Sequence, residues 1–405
     1  MASYTLTHAH VVGLSELQYL RVEADKITAI APMSAFSAPD SSASDSLPVV
    51  DMQGDWISLG GVDLQINGAL GLAFPDLLPG HEERLTQIAK FLWHQGIDAF
   101  LPTLVTTSIE KFHQALAVLK AFERLTQNGC EAAIALGAHL EGPCLNPAKR
   151  GAHPQEHLQP LSVETIKQVL GNHADIVRLI TLAPELDGAE ATIPYLRSQN
   201  ITVSLGHSLA TATQAQRAFD QGALMVTHAF NAMPGLHHRE PGLLGAAIAH
   251  PQVACSLIAD GQHVCPTMLD ILLRASRGQR SHANHLATNP WGGIFLVSDA
   301  LAPLGLPDGI YPWDSRQIKV MQGTARLSDG TLSGTTLPLL DGVKNLVRWG
   351  LCDAPEAIAL ATEAPRKALG LTGIGVGQPA TLLRWRGEGD KLAWQRISFH
   401  DEKFL

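Results

Sequence analysis

No stretch of 18 apolar residues occurs in this 405-residue chain, so no segment is expected to cross a bilayer as a helix. The opening MASYTLTHAHVVG lacks a basic stretch running into an apolar core. Neither export nor membrane insertion is therefore expected. Basic clusters are missing too. With 29 Lys and Arg against 38 Asp and Glu, the formal net charge is −9. That balance argues against nucleic acid as the main partner, while leaving room for a local basic pocket that takes an anionic small molecule. The five cysteines, Cys130, Cys144, Cys255, Cys265 and Cys352, show no paired spacing. An odd, dispersed set suits a reducing cytoplasm better than a disulfide framework. No repeat of 20–50 residues and no heptad seam is present, which sets aside solenoids and coiled coils.

What is present is a large apolar fraction, 45% of the residues against 17% charged. A core of that size and a chain of that length fit one barrel of about 250 residues with an accessory domain. Near the N-terminus, Leu20–Glu23 and Lys26–Ile30 read as a hairpin around Ala24-Asp25, and Val49–Met52 and Trp56–Leu59 as further strands. The Ser-, Ala- and Pro-rich segment 33–48 reads as a surface loop. From Gly60 onward, strand-like and helix-like segments alternate: Phe100–Leu104 before Ser108–Leu125, Ile176–Leu182 before Ala189–Ser198, and Val253–Ile258 before Pro266–Ala275. Ala133–His139 and Ile294–Val297 read as two more strands, and Pro338–Gly350 and Ala354–Leu369 as helices. This βα order predicts an α/β fold with a parallel sheet, most simply a closed barrel. The strand-like Ala380–Trp385 and Leu392–Ser398 predict a small β domain assembled from both ends of the chain.

The densest chemistry lies in residues 201–233. His207 follows the apolar run 201–205, and His228 follows 223–226, with a helical stretch Ala210–Gln221 between them. In a parallel barrel both imidazoles sit at C-terminal strand ends on one face, where two neighbouring strands can present them to one ion. Each histidine taken alone reads more often as a hydrogen-bonding loop residue than as a ligand. Glu141, in the bend of HLEGP, is a candidate third ligand or else a solvated loop acid or helix cap. With His207 and His228 it makes a Glu/His/His set, the donor chemistry of hydrolytic sites that leave a position for water. Asp299 closes the apolar run 294–298. It is placed to act as a base, with a buried acceptor or a helix cap as the alternative. His153, Asn231, Arg239 and His263 fall on the same rim. Arg239 and His263 would suit a phosphate, or form ordinary surface ion pairs.

Taken together, the segments GGVDLQINGALG, GAHLEGPCLNPAKRGAHP, TLAPE, LGHSLATATQA, THAFNAMPGLHHREPG, ADGQHV, LVSDALAP and LSGTTLPLLDGVKNLV resemble, in order, the N-acetylglucosamine-6-phosphate deacetylase family of the amidohydrolase superfamily. With the C-terminal TEAPRKALGL and GIGVGQPATLLRW the likeness covers most of the chain. The resemblance implies a (β/α)8 TIM-like barrel over 60–370, a small β-sandwich from 1–59 and 371–405, and a homodimer. It implies one divalent metal per subunit on Glu141, His207 and His228, with zinc expected and iron the alternative. It implies Asp299 as base and then acid, and His153 as a catalytic donor. Contacts to an amino sugar phosphate are implied at Ala152, His153, Asn231, Ala232, Arg239, His263 and the loop Leu332, Ser333 and Gly334. Gln65 and Asn67 stand where many amidohydrolases carry a His-x-His pair, and amides are poor ligands beside imidazole; the single-metal subtype is therefore expected. Two features, His237-His238 and the 281–291 connection, find no counterpart in the resemblance. The rival readings are a deacetylase of N-acetylgalactosamine 6-phosphate, another amidohydrolase, and a non-catalytic sugar-binding barrel.

Overall fold

Eight parallel strands close the centre of the molecule. They are β1 (Gly61–Ile66), β2 (Ile97–Val105), β3 (Ala138–Glu141), β4 (Val177–Leu182), β5 (Thr202–Leu205), β6 (Met225–Val226), β7 (Ala254–Leu257) and β8 (Ile294–Leu296). Each pairs in parallel with the next, in chain order. The ring is joined just past β8, where the Asp299 N–H donates to the Gln65 carbonyl at 2.9 Å and the Asn67 N–H to the Ala300 carbonyl at 2.7 Å. This computed structural model describes residues 3–37, 47–125, 131–282 and 293–397. Most of the loop expected over 33–48, residues 283–291 of the 281–291 connection, and Cys130 lie outside the described residues.

Side chains alternate in and out along each strand because the backbone is pleated. Outward residues such as Leu140, Ile180, Val203, Leu205 and Leu257 join the large apolar core under the surrounding helices. Those helices are Glu82–His94, Ile109–Leu125, Val163–Leu170, Ala189–Ser198, Ala212–Asp220, Gly242–Ala249, Pro266–His282 and, after β8, Leu339–Arg348. Inward residues are layered along the barrel axis. At the N-terminal end Val62, Leu64, Leu101, Leu179, Met225 and Phe295 form a separate apolar cluster, closed below by Ala364 and Leu369. Above it lies a hydrogen-bonded layer. The His139 ring bridges Thr103 (3.2 Å) and Thr181 (2.8 Å), Thr181 meets Thr227 at 2.7 Å, and Thr227 meets Ser204 at 2.6 Å. Polar groups are tolerated at this depth because each has a partner.

Both ends of the chain build one mixed seven-stranded sheet. Tyr4–Val11 pairs with Leu17–Glu23, Val49–Asp51 and Trp56–Leu59, and the C-terminal Leu382–Arg386 and Ala393–Arg396 add to its far side. Bulges between Leu6 and Ala9 and between Arg21 and Val22 bend it, and its inner face holds a cluster of its own, with Leu6, Leu20, Ile27, Ile57 and Leu382 fully buried.

Two local readings of the sequence need correction. The helix expected over Ala354–Leu369 is two helices, Ala354–Ala361 and Glu363–Ala368, broken at Thr362. Pro365 has no N–H to offer the Ala361 carbonyl, and its ring crowds that turn. Residues 309–331, unassigned in the sequence, and the expected loop at 332–334 belong to a four-stranded antiparallel sheet: Gly309–Trp313, Arg316–Met321, Thr324–Leu327 and Leu332–Thr335. Its signals were local: alternating runs separated by Asp314-Ser315, Gln322-Gly323 and Asp329-Gly330.

Candidate metal centre and active site

Four strand ends carry the chemistry. Glu141 is the last residue of β3, His207 lies two beyond β5, His228 two beyond β6 and Asp299 three beyond β8. His207, His228 and Asp299 have φ of 49°, 29° and 48°. That left-handed region is uncommon for residues with a Cβ and concentrates at functional sites. Turning out of the strand there swings each side chain over the mouth of the barrel.

Three of the four converge. Glu141 Oε1 stands 3.2 Å from His207 Nε2 and 3.0 Å from His228 Nε2, and the two Nε2 atoms are 3.1 Å apart. Around a cation with ligand distances of about 2.0–2.1 Å, tetrahedral neighbours lie about 3.3 Å apart, so the donor set fits one divalent ion. The His207 Nδ1 is 2.9 Å from the Lys149 carbonyl. That bond places the proton on Nδ1 and leaves Nε2 with a lone pair, the arrangement a ligating imidazole needs. Among the described residues this is the one cluster of three or more His, Cys, Asp or Glu donors so arranged.

Gln65 and Asn67 turn their amide nitrogens to the carboxylates. Gln65 Nε2 donates to Glu141 Oε1 at 3.0 Å and approaches Asp299 Oδ1 at 3.4 Å, and Asn67 Nδ2 donates to Asp299 Oδ1 at 2.8 Å. The amides thus spend their N–H groups on the two carboxylates. His153 adds a third imidazole, its Nε2 3.8 Å from Glu141 Oε2. Thr106, at the end of β2, aims it: the Thr106 N–H donates to Nδ1 at 3.3 Å. With Nδ1 as acceptor, the neutral ring carries its proton on Nε2.

Burial sets the charges. Burial and then the neighbouring His207 push the His153 pKa down to about 3, so this ring is neutral. Burial pushes the Glu141 carboxyl up, but the close imidazoles of His207 and His228 outweigh it and hold Glu141 well below the usual range. Burial, followed by the charge of Glu141, raises Asp299 to about 6. Two carboxylates in one pocket are thereby pushed apart, one held ionised and one able to exchange a proton near neutrality.

A cavity of about 720 Å³ opens above these groups. The expected contact residues Ala152, His153, Asn231 and Ala232 line it, as do His263, Leu332 and Ser333. Gly334 sits behind the wall with φ +145°, and a Cβ there would come within 2.8 Å of the Asp299 carbonyl, so only glycine lets the two backbones meet. Arg239 is exposed, bonded to His238 Nε2 at 2.9 Å, and does not line the cavity. Sequence reasoning missed Thr106 and the wall formed by Trp313 and Asp314 from the inserted sheet. It also missed Arg316, whose guanidinium donates to the Ala152 carbonyl at 2.7 Å and so braces the His153 loop.

The model of the amidohydrolase family matches residues 56–397. The chain belongs to the amidohydrolase family. Its relatives include the N-acetylglucosamine-6-phosphate deacetylase of Vibrio furnissii, 34% identical over 340 residues, covering 81% of this chain and 80% of that one. The N-acetylgalactosamine-6-phosphate deacetylase of Escherichia coli O157:H7 is also 34% identical, over 313 residues, covering 77% and 78%. Among solved structures, a mutant N-acetylglucosamine-6-phosphate deacetylase of Mycobacterium smegmatis in complex with N-acetylglucosamine 6-phosphate is similar with a TM-score of 0.79 and 27% identity, over 95% of each chain. This amidohydrolase therefore groups with the amino-sugar-phosphate deacetylases. No helix among the described residues is long and apolar enough to cross a membrane.

Proposed function

We propose that the protein hydrolyses the acetamide of N-acetylglucosamine 6-phosphate, releasing acetate and glucosamine 6-phosphate. The observation that carries the reading is the meeting of Glu141 Oε1 with two imidazole Nε2 atoms at 3.0–3.2 Å, beside a buried carboxyl whose pKa is raised to about 6. Glu141, His207 and His228 would hold one divalent cation, zinc by donor type with iron the alternative. When bound, that cation supplies Lewis acidity and lowers the pKa of water.

The remaining work belongs to the chain. Asp299 accepts a proton from the attacking water and returns it to the sugar nitrogen as the C–N bond breaks. The His153 Nε2–H donates to the developing oxyanion, held in place by Thr106 below and by Arg316 through the Ala152 carbonyl. Asn231, Ala232, Leu332 and Ser333 flank the sugar, and His263 lies at the phosphate end. Gly334 lets its strand approach Asp299. Arg239, exposed in one subunit, would reach the phosphate of a second copy in a homodimer, and that remote grip orients the amide. A cytoplasmic setting agrees with Cys144, Cys255, Cys265 and Cys352, all free thiols.

Acetate release from N-acetylglucosamine 6-phosphate, with and without chelator, tests the reading. Chelator-sensitive release is expected; none from the metal-loaded protein would remove the assignment. The N-acetylgalactosamine 6-phosphate epimer belongs beside it, because the Escherichia coli relative acts under that name at the same identity. Faster release from the epimer would reassign the substrate and leave the chemistry in place.

A further inference from the structure

Asn67 has two ends, and the metal chemistry accounts for neither. Its Nδ2 donates to Asp299 Oδ1 at 2.8 Å, where Gln65 Nε2 also approaches at 3.4 Å. One Asp299 oxygen is thereby tied down, and Oδ2 is left for proton transfer. The Asn67 Oδ1 is buried and has no hydrogen-bond partner among the described residues, although Asn67 is 2% exposed and lines the cavity. A buried acceptor without a donor is costly and calls for one. The terminal torsion of asparagine is soft, so the carboxamide can adjust toward a donor offered from the cavity.

The missing partner must be a donor, since Oδ1 only accepts. In the deacetylase reading, on which this inference rests, the group that meets Asp299 Oδ2 is the nitrogen on the sugar. It carries an N–H before cleavage and is an amine or ammonium after it. We propose that Asn67 Oδ1 accepts a hydrogen bond from that nitrogen. One carboxamide then holds the base and also recognises the atom the base protonates. Asn67 is thus a substrate-contacting, specificity-determining residue for sugar phosphates bearing a nitrogen donor beside the anomeric carbon.

The test compares binding of glucosamine 6-phosphate with 2-deoxyglucose 6-phosphate, which lacks any donor at that carbon, on metal-loaded protein with metal content measured for each variant. Wild type should prefer the amine. Asn67→Ala should lose about tenfold of that preference while its affinity for the deoxy sugar stays within about twofold of wild type. Asn67→Asp keeps the acceptor but cannot donate to an ionised Asp299; it should keep the preference and lose kcat with little change in KM. The comparison is a ratio, so a general loosening of the site cancels, and Asn67→Leu, closer in volume, serves if the alanine variant fails to fold. An unchanged preference in Asn67→Ala, or loss of the same preference in Asn67→Asp, overturns the proposal. A wild-type protein that cleaves N-acetylglucosamine 6-phosphate yet shows no preference for the amine overturns it while sparing the deacetylase reading; binding of neither sugar phosphate overturns both.

Discussion

The two ends of the barrel hold polar clusters of opposite design. At the N-terminal end Asp98, next to the start of β2, accepts from the Gly60 N–H at 2.8 Å, Thr381 Oγ1 at 2.8 Å, and Arg366 and Arg396 at 2.9 Å each. Arg396 also lies over the Trp93 ring at 3.6 Å. One carboxylate and two guanidiniums from distant parts of the chain pair with one another and pin the terminal sheet to the barrel, with Arg396 Nε left without a partner among the described residues. At the C-terminal end, imidazole faces imidazole: Nε2 meets Nε2 at 3.1 Å, and the His228 Nδ1 and Asn67 Oδ1 have no partner among the described residues. The first cluster is paired charge against charge, apart from Arg396 Nε, and belongs to stability. The second is left incomplete by its own residues, and its three buried donor groups, Glu141, His207 and His228, are so placed that they could hold a metal ion.

Substitutions can break this contrast. The largest effect is expected from His207→Ala, which removes a donor from the incomplete end. Metal content and acetate release should both fall to background while the cooperative unfolding transition survives; retained metal would show the cluster is not the ligand set. Asp299→Asn comes next. It should keep the metal and lose turnover by about 10²–10⁴-fold, and near-normal turnover would take Asp299 out of the mechanism. At the other end Asp98→Asn leaves the buried Arg366 and the half-buried Arg396 short of a counter-charge, which costs about 3–5 kcal/mol. A clear drop in urea midpoint is expected, with metal content of the folded protein unchanged; loss of metal in proportion to stability would mean the two ends are not separable.

The smallest effect sharpens the contrast through pH. Asp63 lies in the wall between the two clusters and has backbone donors but no cation: the Ser298 N–H at 3.1 Å and the Gln65 N–H at 3.4 Å. Burial raises its pKa to about 7. For an acid whose folded pKa exceeds its unfolded value, stability is present at low pH and is lost as pH rises from the unfolded pKa through the folded one. Asp63→Asn carries no such charge. Its stability relative to wild type should therefore climb between about pH 4 and 7 and level off above. A flat difference across that range would mean Asp63 is not strained by ionisation.

Much of the barrel was legible in the chain. Apolar runs such as Ile176–Leu182 and Ile294–Val297 alternate with helical stretches, and Ala189–Ser198 is the helix its spacing predicts. The motifs around Glu141, His207, His228 and Asp299 marked those residues because each is polar at the end of an apolar strand, a placement that needs a reason. The inserted sheet over 309–335 stands outside the βα alternation, as short antiparallel strands joined by tight turns, and so carries none of the barrel's periodic signal. Thr106, Arg316 and the Asp98 cluster carried no local signal: a threonine or an arginine is ordinary in its own segment, and its meaning comes from a partner as much as 298 positions away, the span between Asp98 and Arg396.

Local order thus settled the periodicity, the sequence of strands and helices, and the residue types offered at each strand end. Those depend on backbone sterics and on the cost of burying polar groups, which neighbouring residues are enough to set. Tertiary structure alone decided which atoms meet. Closing the ring brings Gln65 and Asn67, from the first strand, onto Asp299, from the last, and left-handed turns swing His207 and His228 toward Glu141. A hydrogen bond or a ligand bond tolerates only tenths of an ångström, and that precision arises when the whole barrel packs.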